Sequence, residues 1–327
     1  MPRKKKKKNF LSASRMKTLD TCSWLYWVKY NLRLPDITNE GALRGTICHN
    51  VFELLLKPRH KKYFLSVMKD RGIKSTPAVN RMVVKFLKKH EVFTEENYDL
   101  CSNMIFVGLD NDFFGKDDLI YGKEAHIETP EYAFEIESKS PRYNIRGYMD
   151  KPIEYKKSKI VRIVDYKSSK QKFKGEELQS NIQAMVYSLA ALKIWPKLKP
   201  RIEFLFLKFP KQPVQALEFT KDELKGFEFH LEQVQKVIDN FNEDSARTNF
   251  AIDGGWATKW MCGPTKSGWE CPYKNKLTYY ALKDEDGNII KTSFDNDFSP
   301  SKEETVEKIE YQGCPKFQKK KDRFSLK

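Results

Sequence analysis

A chain of 327 residues with 40% hydrophobic content can bury a substantial core, and its length suits one elaborated domain or a domain with an appendage. Lys and Arg number 60 against 44 Asp and Glu, a formal charge of +16 that favours a polyanionic partner, because neutralising phosphates releases counterions. The sequence holds no run of 18 apolar residues and no basic amphipathic helix with a clean apolar face, so neither a spanning helix nor a membrane partner is expected.

The opening "MPRKKKKKNF" carries a basic run with no apolar segment after it, unlike a secretory signal. Residues 1–11 read as a disordered, solvated tail suited to non-specific attraction to nucleic acid. The expected setting is cytoplasmic and reducing, so the six cysteines are read as buried thiols or metal ligands rather than disulfides.

Residues 12–32 are predicted helical, with Leu19, Cys22, Tyr26 and Tyr30 in period and Ser12 or Ser14 as cap. "NEGALRGTICHNVFELLLK" is a second helix, entered after Gly41 or Gly45, with Leu43, Ile47, Val51 and Leu55 as its stripe. Residues 60–118 form a mostly helical insertion, clearest at "AVNRMVVKFLKKH". From 119 the period changes. "LIYGKEAHIE", "EYAFEIES", "YNIRGYMD" and "KIVRIVDYK" read as consecutive antiparallel strands.

"GEELQSNIQAMVYSLAALKI" returns to helix, with Ile182, Met185, Val186, Leu189 and Leu192 facing inward. "RIEFLFLKF" is a strand and "TKDELKGFEFHLEQVQKVIDNF" a helix; beyond Asp253 the pattern breaks into Gly, Trp, Cys and Lys. The order predicts an α/β or α+β sheet flanked by helices.

In "IVRIVDYKSSK" an apolar strand ends in Asp165 and Lys167, two apart and therefore on one face. If "NIRGYMD" pairs with "KIVRIVDYK" through "EYKKSK", Asp150 meets Asp165 across the hairpin. Two adjacent carboxylates resist joint ionisation unless a cation lies between them, and a hard divalent ion takes oxygen ligands. Lys167 on that face suits stabilisation of a phosphoryl transition state. Taken alone, the pair also reads as an ordinary surface ion pair. His49 and Glu53 share one helical face in "GTICHNVFE", where His49 offers an imidazole ligand. Gln183 and Tyr187 are likewise four apart, off the apolar stripe, and placed to hydrogen-bond a phosphate or base.

The ordered set "GTICHNVFE", "GYMD", "DYK" and "QAMVY" resembles the RecB-like branch of the PD-(D/E)XK nuclease superfamily, which holds the RecB and AddB nuclease domains and CRISPR-associated RecB-like exonucleases. "SASRMKTLDTCSWLYWVKY" is similar to that branch's opening helix, and the match runs from about residue 12 to 210 around the insertion. The resemblance implies a restriction-endonuclease-like mixed sheet within a core spanning 12–250. It implies hydrolysis of DNA phosphodiesters by metal-activated water, with Mg²⁺ or Mn²⁺ as cofactor. His49, Asp150 and Asp165 would ligate the metal, with the Tyr166 carbonyl as a further ligand. Asp165 stands where many superfamily members carry Glu, as is frequent in this branch. Lys167 would be catalytic, Gln183 and Tyr187 would position substrate, and Glu53 would support the histidine helix. Single strands or duplex ends are the implied substrates, and a helicase or a recombination, repair or replication partner is the implied company.

The iron–sulfur subset of the branch places a first cluster ligand where Cys22 stands and three more after the core. Here the late cysteines are Cys262, Cys271 and Cys314, making four, as a 4Fe–4S cluster needs. Residues 251–327 would then pack back on the first helix. The late spacing departs from the compact pattern of that subset, and "LTYYALKDEDGNIIKTSF" reads as a hairpin inserted between ligands, turning at "EDGN". A four-cysteine Zn²⁺ site or unliganded thiols fit the same residues. Cys48 and Cys101 read as packing residues. Beside the nuclease stand two other readings: a non-catalytic DNA-binding or end-capping module, and a metal-stapled nucleic-acid assembly protein.

Overall fold

The computed structural model describes residues 8–37, 39–116, 124–265 and 270–318. Most of the expected basic tail, and the start of the strand expected at "LIYGKEAHIE", lie outside the described residues. The chain forms two compact units. One comprises the described residues up to Ala13 and from 39 to Gln235; the other comprises Ser14–Ile37 and the described residues from Lys236 onward.

The chain opens with α1 (Ala13–Thr21) and α2 (Ser23–Tyr26), followed by a short π-helix at Trp27–Asn31. The single helix expected over 12–32 is broken at Cys22. Its backbone is extended (φ −159°, ψ 105°), and its Sγ accepts the Leu25 amide at 3.4 Å as the cap of α2.

The long helix α3 (Glu40–Leu56) starts ahead of both glycines expected to mark its entry, because the Asn39 side chain caps it by accepting the Ala42 amide at 2.9 Å. Gly45 serves a different need. A Cβ there would lie 2.8 Å from Ser168 Oγ, so the missing side chain lets α3 approach the segment after Lys167 closely. The insertion forms α4 (Lys62–Asp70), α5 (Pro77–Lys89) and α6 (Glu95–Asp110). Val67, Val79, Val83, Leu87 and Met104 share one buried cluster with Ile47, Val51 and Leu55 of α3.

The strands are β1 (His126–Ile127), β2 (Tyr132–Lys139), β3 (Arg142–Met149), β4 (Lys151–Tyr155) and β5 (Ile160–Lys167). Then come α7 (Glu176–Gln179), α8 (Ile182–Ile194), β6 (Lys199–Phe206), β7 (Val214–Leu217) and α9 (Lys221–Asp239). The central sheet has the order β1-β4-β5-β6-β7 and is mixed, with β5 and β6 parallel and the other pairs antiparallel. The parallel pair follows from the crossover through α7 and α8. One helix was expected there; it divides because Asn181 caps α8, its side chain accepting the Ala184 amide at 3.1 Å.

The expected pairing of "NIRGYMD" with "KIVRIVDYK" is corrected by the register. β3 pairs with β2 in a separate two-stranded sheet, and β4, "KPIEY", pairs with β5. The chain bends at Asp150 and restarts as β4, so part of the stretch read as turn is strand. Strand β7 carries no strong β pattern in its sequence and was not expected. β5 is buried from Val161 to Tyr166, as a central strand covered on both faces must be. Its buried Arg162 is neutralised by Glu203 and Asp112, each at 2.6 Å.

The second unit continues with α10 (Glu243–Ala246), α11 (Gly255–Lys259), β8 (Leu277–Lys283), β9 (Ile289–Ser293) and β10 (Thr305–Tyr311). The hairpin expected from "EDGN" forms between β8 and β9, with Gly287 at φ +78°, where a Cβ would be strained. The unexpected β10 pairs on the other side of β8. Trp24 Nε1 donates to Tyr311 Oη at 2.7 Å, and Tyr311 Oη donates to the Tyr273 carbonyl at 3.0 Å, which ties α2 to this sheet.

Candidate active site

The β4–β5 register pairs Lys151 with Val164, so the next step along both strands brings Asp150 opposite Asp165. Asp150 Oδ2 accepts the Tyr166 amide at 2.8 Å, which fixes the carboxylate against the end of β5. Asp165 is 2% exposed. Its Oδ1 accepts Gln183 Nε2 at 2.7 Å, while its Oδ2 lies 2.5 Å from Lys167 Nζ as an ion pair yet receives no directed hydrogen bond.

The strand's alternation divides the labour. Tyr166 packs on Phe52 of α3, with ring centroids 4.3 Å apart, whereas Asp165 and Lys167 meet α8. Gln183 Oε1 accepts Lys167 Nζ at 2.7 Å, so one amide holds both members of the pair. Tyr187 Oη accepts Gln183 Nε2 at 2.8 Å and spends its single hydrogen on the Tyr148 carbonyl at 2.6 Å, the shortest acceptor within reach. Burial, then Asp165 and Asp150, hold this phenol well above its ordinary pKa, so it remains a neutral donor. Tyr187 is buried rather than off the apolar stripe, and Leu192, expected inward, is 36% exposed. α8 is buried around most of its circumference, which its alanines at 184, 190 and 191 permit.

His49 reaches the same place from α3. Its Nδ1 is 3.3 Å from Glu131 Oε1 and 3.6 Å from Asp150 Oδ2, and its Nε2 is 3.3 Å from the Tyr166 carbonyl. Burial disfavours the charged imidazole, but the Glu131 hydrogen bond and the charges of Asp150 and Asp165 outweigh it and hold the pKa up at about 9. As imidazolium, His49 donates from both nitrogens. Burial and then repulsion from Asp165 push Asp150 up to about 7, against the pull of His49 and the Tyr166 amide. Both shifts mark carboxylates crowded together with too little positive charge to balance them.

His49, Glu131 and Asp150 bring their donor atoms within 4.8 Å of one another. Glu131 was not foreseen. It lies just before β2 at φ +54°, and its amide donates to the Asp150 carbonyl at 3.1 Å. "TPEYAF" offered only the cue of an acid at a strand entrance. Lys151 was also missed. It is fully buried, donates to the Phe113 carbonyl at 3.1 Å and lies over the Phe113 ring. Burial, then Arg162, lower its pKa to about 7. Glu53, expected as a supporting partner of the histidine helix, pairs with Lys57 at the end of that helix at 2.8 Å.

His49 and Asp150 have folded pKa values above their unfolded ones. Each therefore favours the fold below its unfolded pKa and loses that contribution as pH rises through the folded value. In protein stripped of divalent ions, thermal stability is expected to fall in two stages, from about pH 4 to 7 and from about 6.5 to 9. Manganese at 100 times its dissociation constant is expected to add about 2.7 kcal/mol and to flatten that slope. Differential scanning fluorimetry across pH, with and without the ion, measures both effects.

In the second unit, Cys22, Cys262, Cys271 and Cys314 line one cavity of about 30 Å³ together with Trp24, Phe250, Tyr273 and Phe317. Burial pushes the Cys271 and Cys314 thiols up to about 11 and raises Cys262. The Sγ of Cys22 accepts the Leu25 amide, that of Cys271 the Tyr273 amide, and that of Cys314 the Lys316 amide. No set of three cysteines among the described residues has its sulfurs within 4.8 Å of one another. Cys48 and Cys101 are fully buried in the core around α3.

The family model of the PD-(D/E)XK nuclease superfamily matches residues 10–275. Among solved structures, a candidate exonuclease from Eubacterium rectale is 13% identical with a TM-score of 0.43, the match covering 76% of this chain and 93% of that one. No curated protein matches the chain.

Proposed function

The chain belongs to the PD-(D/E)XK nuclease superfamily, and on that premise we propose that it is a metal-dependent deoxyribonuclease of the RecB-like branch, acting as an exonuclease on single strands or duplex ends. The observation that carries this reading is the convergence of Asp165 and Lys167 from β5, Asp150 from the bend before β4 and His49 from α3, with Glu131 beside them.

The donor set fits a divalent cation. Asp165 Oδ2 is buried without a hydrogen bond, and crowded carboxylates with an imidazole are a hard donor set suited to Mg²⁺ or Mn²⁺. Asp150, Asp165, His49 and the Tyr166 carbonyl, joined by Glu131, would hold it. When bound, such an ion polarises a phosphoryl oxygen and lowers the pKa of water.

The protein's own groups do the rest. Lys167 would place a fixed ammonium where negative charge develops on the phosphate. Gln183 holds Lys167 and Asp165 in one geometry, and Tyr187 fixes Gln183. These two residues act on substrate through the catalytic pair. Lys151, under Asp150, anchors the start of β4 to the Phe113 carbonyl at the end of the helical insertion.

The four cysteines hold a 4Fe–4S cluster in this reading. Tetrahedral zinc would draw its thiolates to about 3.8 Å from one another, given Zn–S distances of about 2.3 Å. The four cysteines line one cavity, which supports a metal group shared among them. Amides already aimed at three of the sulfurs would stabilise thiolate charge.

The test is direct. Purified protein with Mg²⁺ or Mn²⁺ is expected to degrade end-labelled single-stranded and duplex DNA, to stop with chelator and to recover when metal returns. Folded protein inert over a panel of divalent metals would refute the proposal.

A further inference from the structure

The charge of the chain is concentrated. Residues 57–90, from the end of α3 through α5, hold eleven Lys or Arg against one acid, Asp70, a net +10 within the chain's +16. All eleven are exposed, and among the described residues only Lys57 of the eleven takes part in an ion pair, with Glu53. Surface cations are ordinarily interspersed with acids; a helical face left at this charge density repels itself unless a polyanion covers it.

The arrangement is ordered. On α5, Val79, Val83 and Leu87 are buried, while Arg81, Lys85 and Lys88 follow the i, i+4, i+7 spacing of the opposite face. On α4, Lys62 and Lys69 flank Leu65, which is 72% exposed. Lys57 links this surface to the candidate active site. It is the residue that ends α3, eight residues after His49, a rise of about 12 Å along the helix. That distance spans roughly two phosphates of an extended strand.

Val67 of α4 and Val79, Val83 and Leu87 of α5 are buried in the core, and Leu65 is the one large apolar side chain left exposed on these two helices. This leaves a polar cationic surface suited to a phosphate backbone rather than one that inserts into lipid. We propose that the α4–α5 face, entered through Lys57, binds the backbone of the nucleic-acid strand whose end lies in the candidate active site. The inference rests on the nuclease reading for the identity of that site, and it assigns the helical insertion the part of substrate track.

The test compares wild-type protein, the triple variant R81Q/K85Q/K88Q and the charge-matched control K193Q/K197Q/K225Q, all as full-length chains. Binding to a fluorescent 30-nucleotide single strand and to a duplex is measured by anisotropy without divalent metal, over a range of salt. The α5 variant is expected to bind roughly tenfold or more weakly, with the slope of log K against log salt reduced by about 2–3, as loss of three phosphate contacts requires. Its cleavage is expected to lose kcat/KM while kcat at saturation is retained, and the control is expected to match wild type. Equal affinity and slope in the two triple variants would overturn the inference and leave the nuclease reading standing. A wild type that never cleaves, but whose binding falls only in the α5 variant, would remove the nuclease reading and leave the surface. Binding to anionic phosphatidylserine vesicles that drops in the α5 variant, with DNA binding unchanged, would assign the surface to a membrane and overturn the inference.

Discussion

Replacing Lys167 by Ala is expected to lower DNA cleavage by about 10²–10³-fold, the usual consequence of removing one preorganised stabiliser of transition-state charge. The ammonium is held by Gln183 Oε1 at 2.7 Å and by Asp165 at 2.5 Å, so in the proposed mechanism it would meet the phosphate already in place. Because it contacts ligands rather than serving as one, Lys167→Ala is expected to retain Mn²⁺ binding. Asp165→Asn removes a ligand's charge and leaves Lys167 without its partner. It is expected to lose both metal affinity and cleavage, the latter by at least as much. Gln183→Ala is the informative companion, since loosening the pair should cost less than losing it. Single-turnover rates at saturating metal, with circular dichroism to confirm folding, separate these cases. Full cleavage by both Lys167→Ala and Asp165→Asn would sink the assignment.

The second large effect concerns the cysteines. Cys22 and Cys314 come from opposite ends of the unit they help to close, so a group that binds both contributes directly to its folding. Anaerobically purified protein is expected to be brown, with absorption near 400 nm and about four irons per chain. Cys271→Ser or Cys314→Ser is expected to bleach that band and lower the melting temperature by about 10 °C. Cys101→Ser, in the core around α3, is expected to leave the band unchanged. A colourless protein with one zinc per chain would favour the smaller site, and a protein free of both metals, equally stable in every variant, would leave only buried thiols.

Much of the candidate site was legible because its residues lie on elements with strong periods. β5 announces itself as a buried strand up to Val164, so the two-residue repeat alone puts Asp165 and Lys167 on one face. The helical repeat did the same for His49 on α3 and for Gln183 with Tyr187 on α8. What failed was partner choice. Asp150 meets Asp165 as anticipated, but through β4 rather than β3, because the bend at Asp150 ends one strand and begins the next within a single residue. No local pattern marks such a break in an unbroken β-prone stretch.

Glu131 and Lys151 were missed for a related reason. Each gains its meaning from long-range neighbours, the one through the Asp150 carbonyl and the other through the Phe113 carbonyl 38 residues earlier. The break at Cys22 was hidden because the apolar period continues through it. Only its sulfur, capping α2, marks the position.

Mn²⁺ binding followed by electron paramagnetic resonance, with cleavage of a labelled strand read from the same samples, compares wild type with Asp165→Asn. Wild type is expected to sequester the ion and to cleave in proportion to its occupancy, and Asp165→Asn to do neither. Cleavage that persists in chelator, or that survives unchanged in Asp165→Asn, would contradict the metal-dependent nuclease reading.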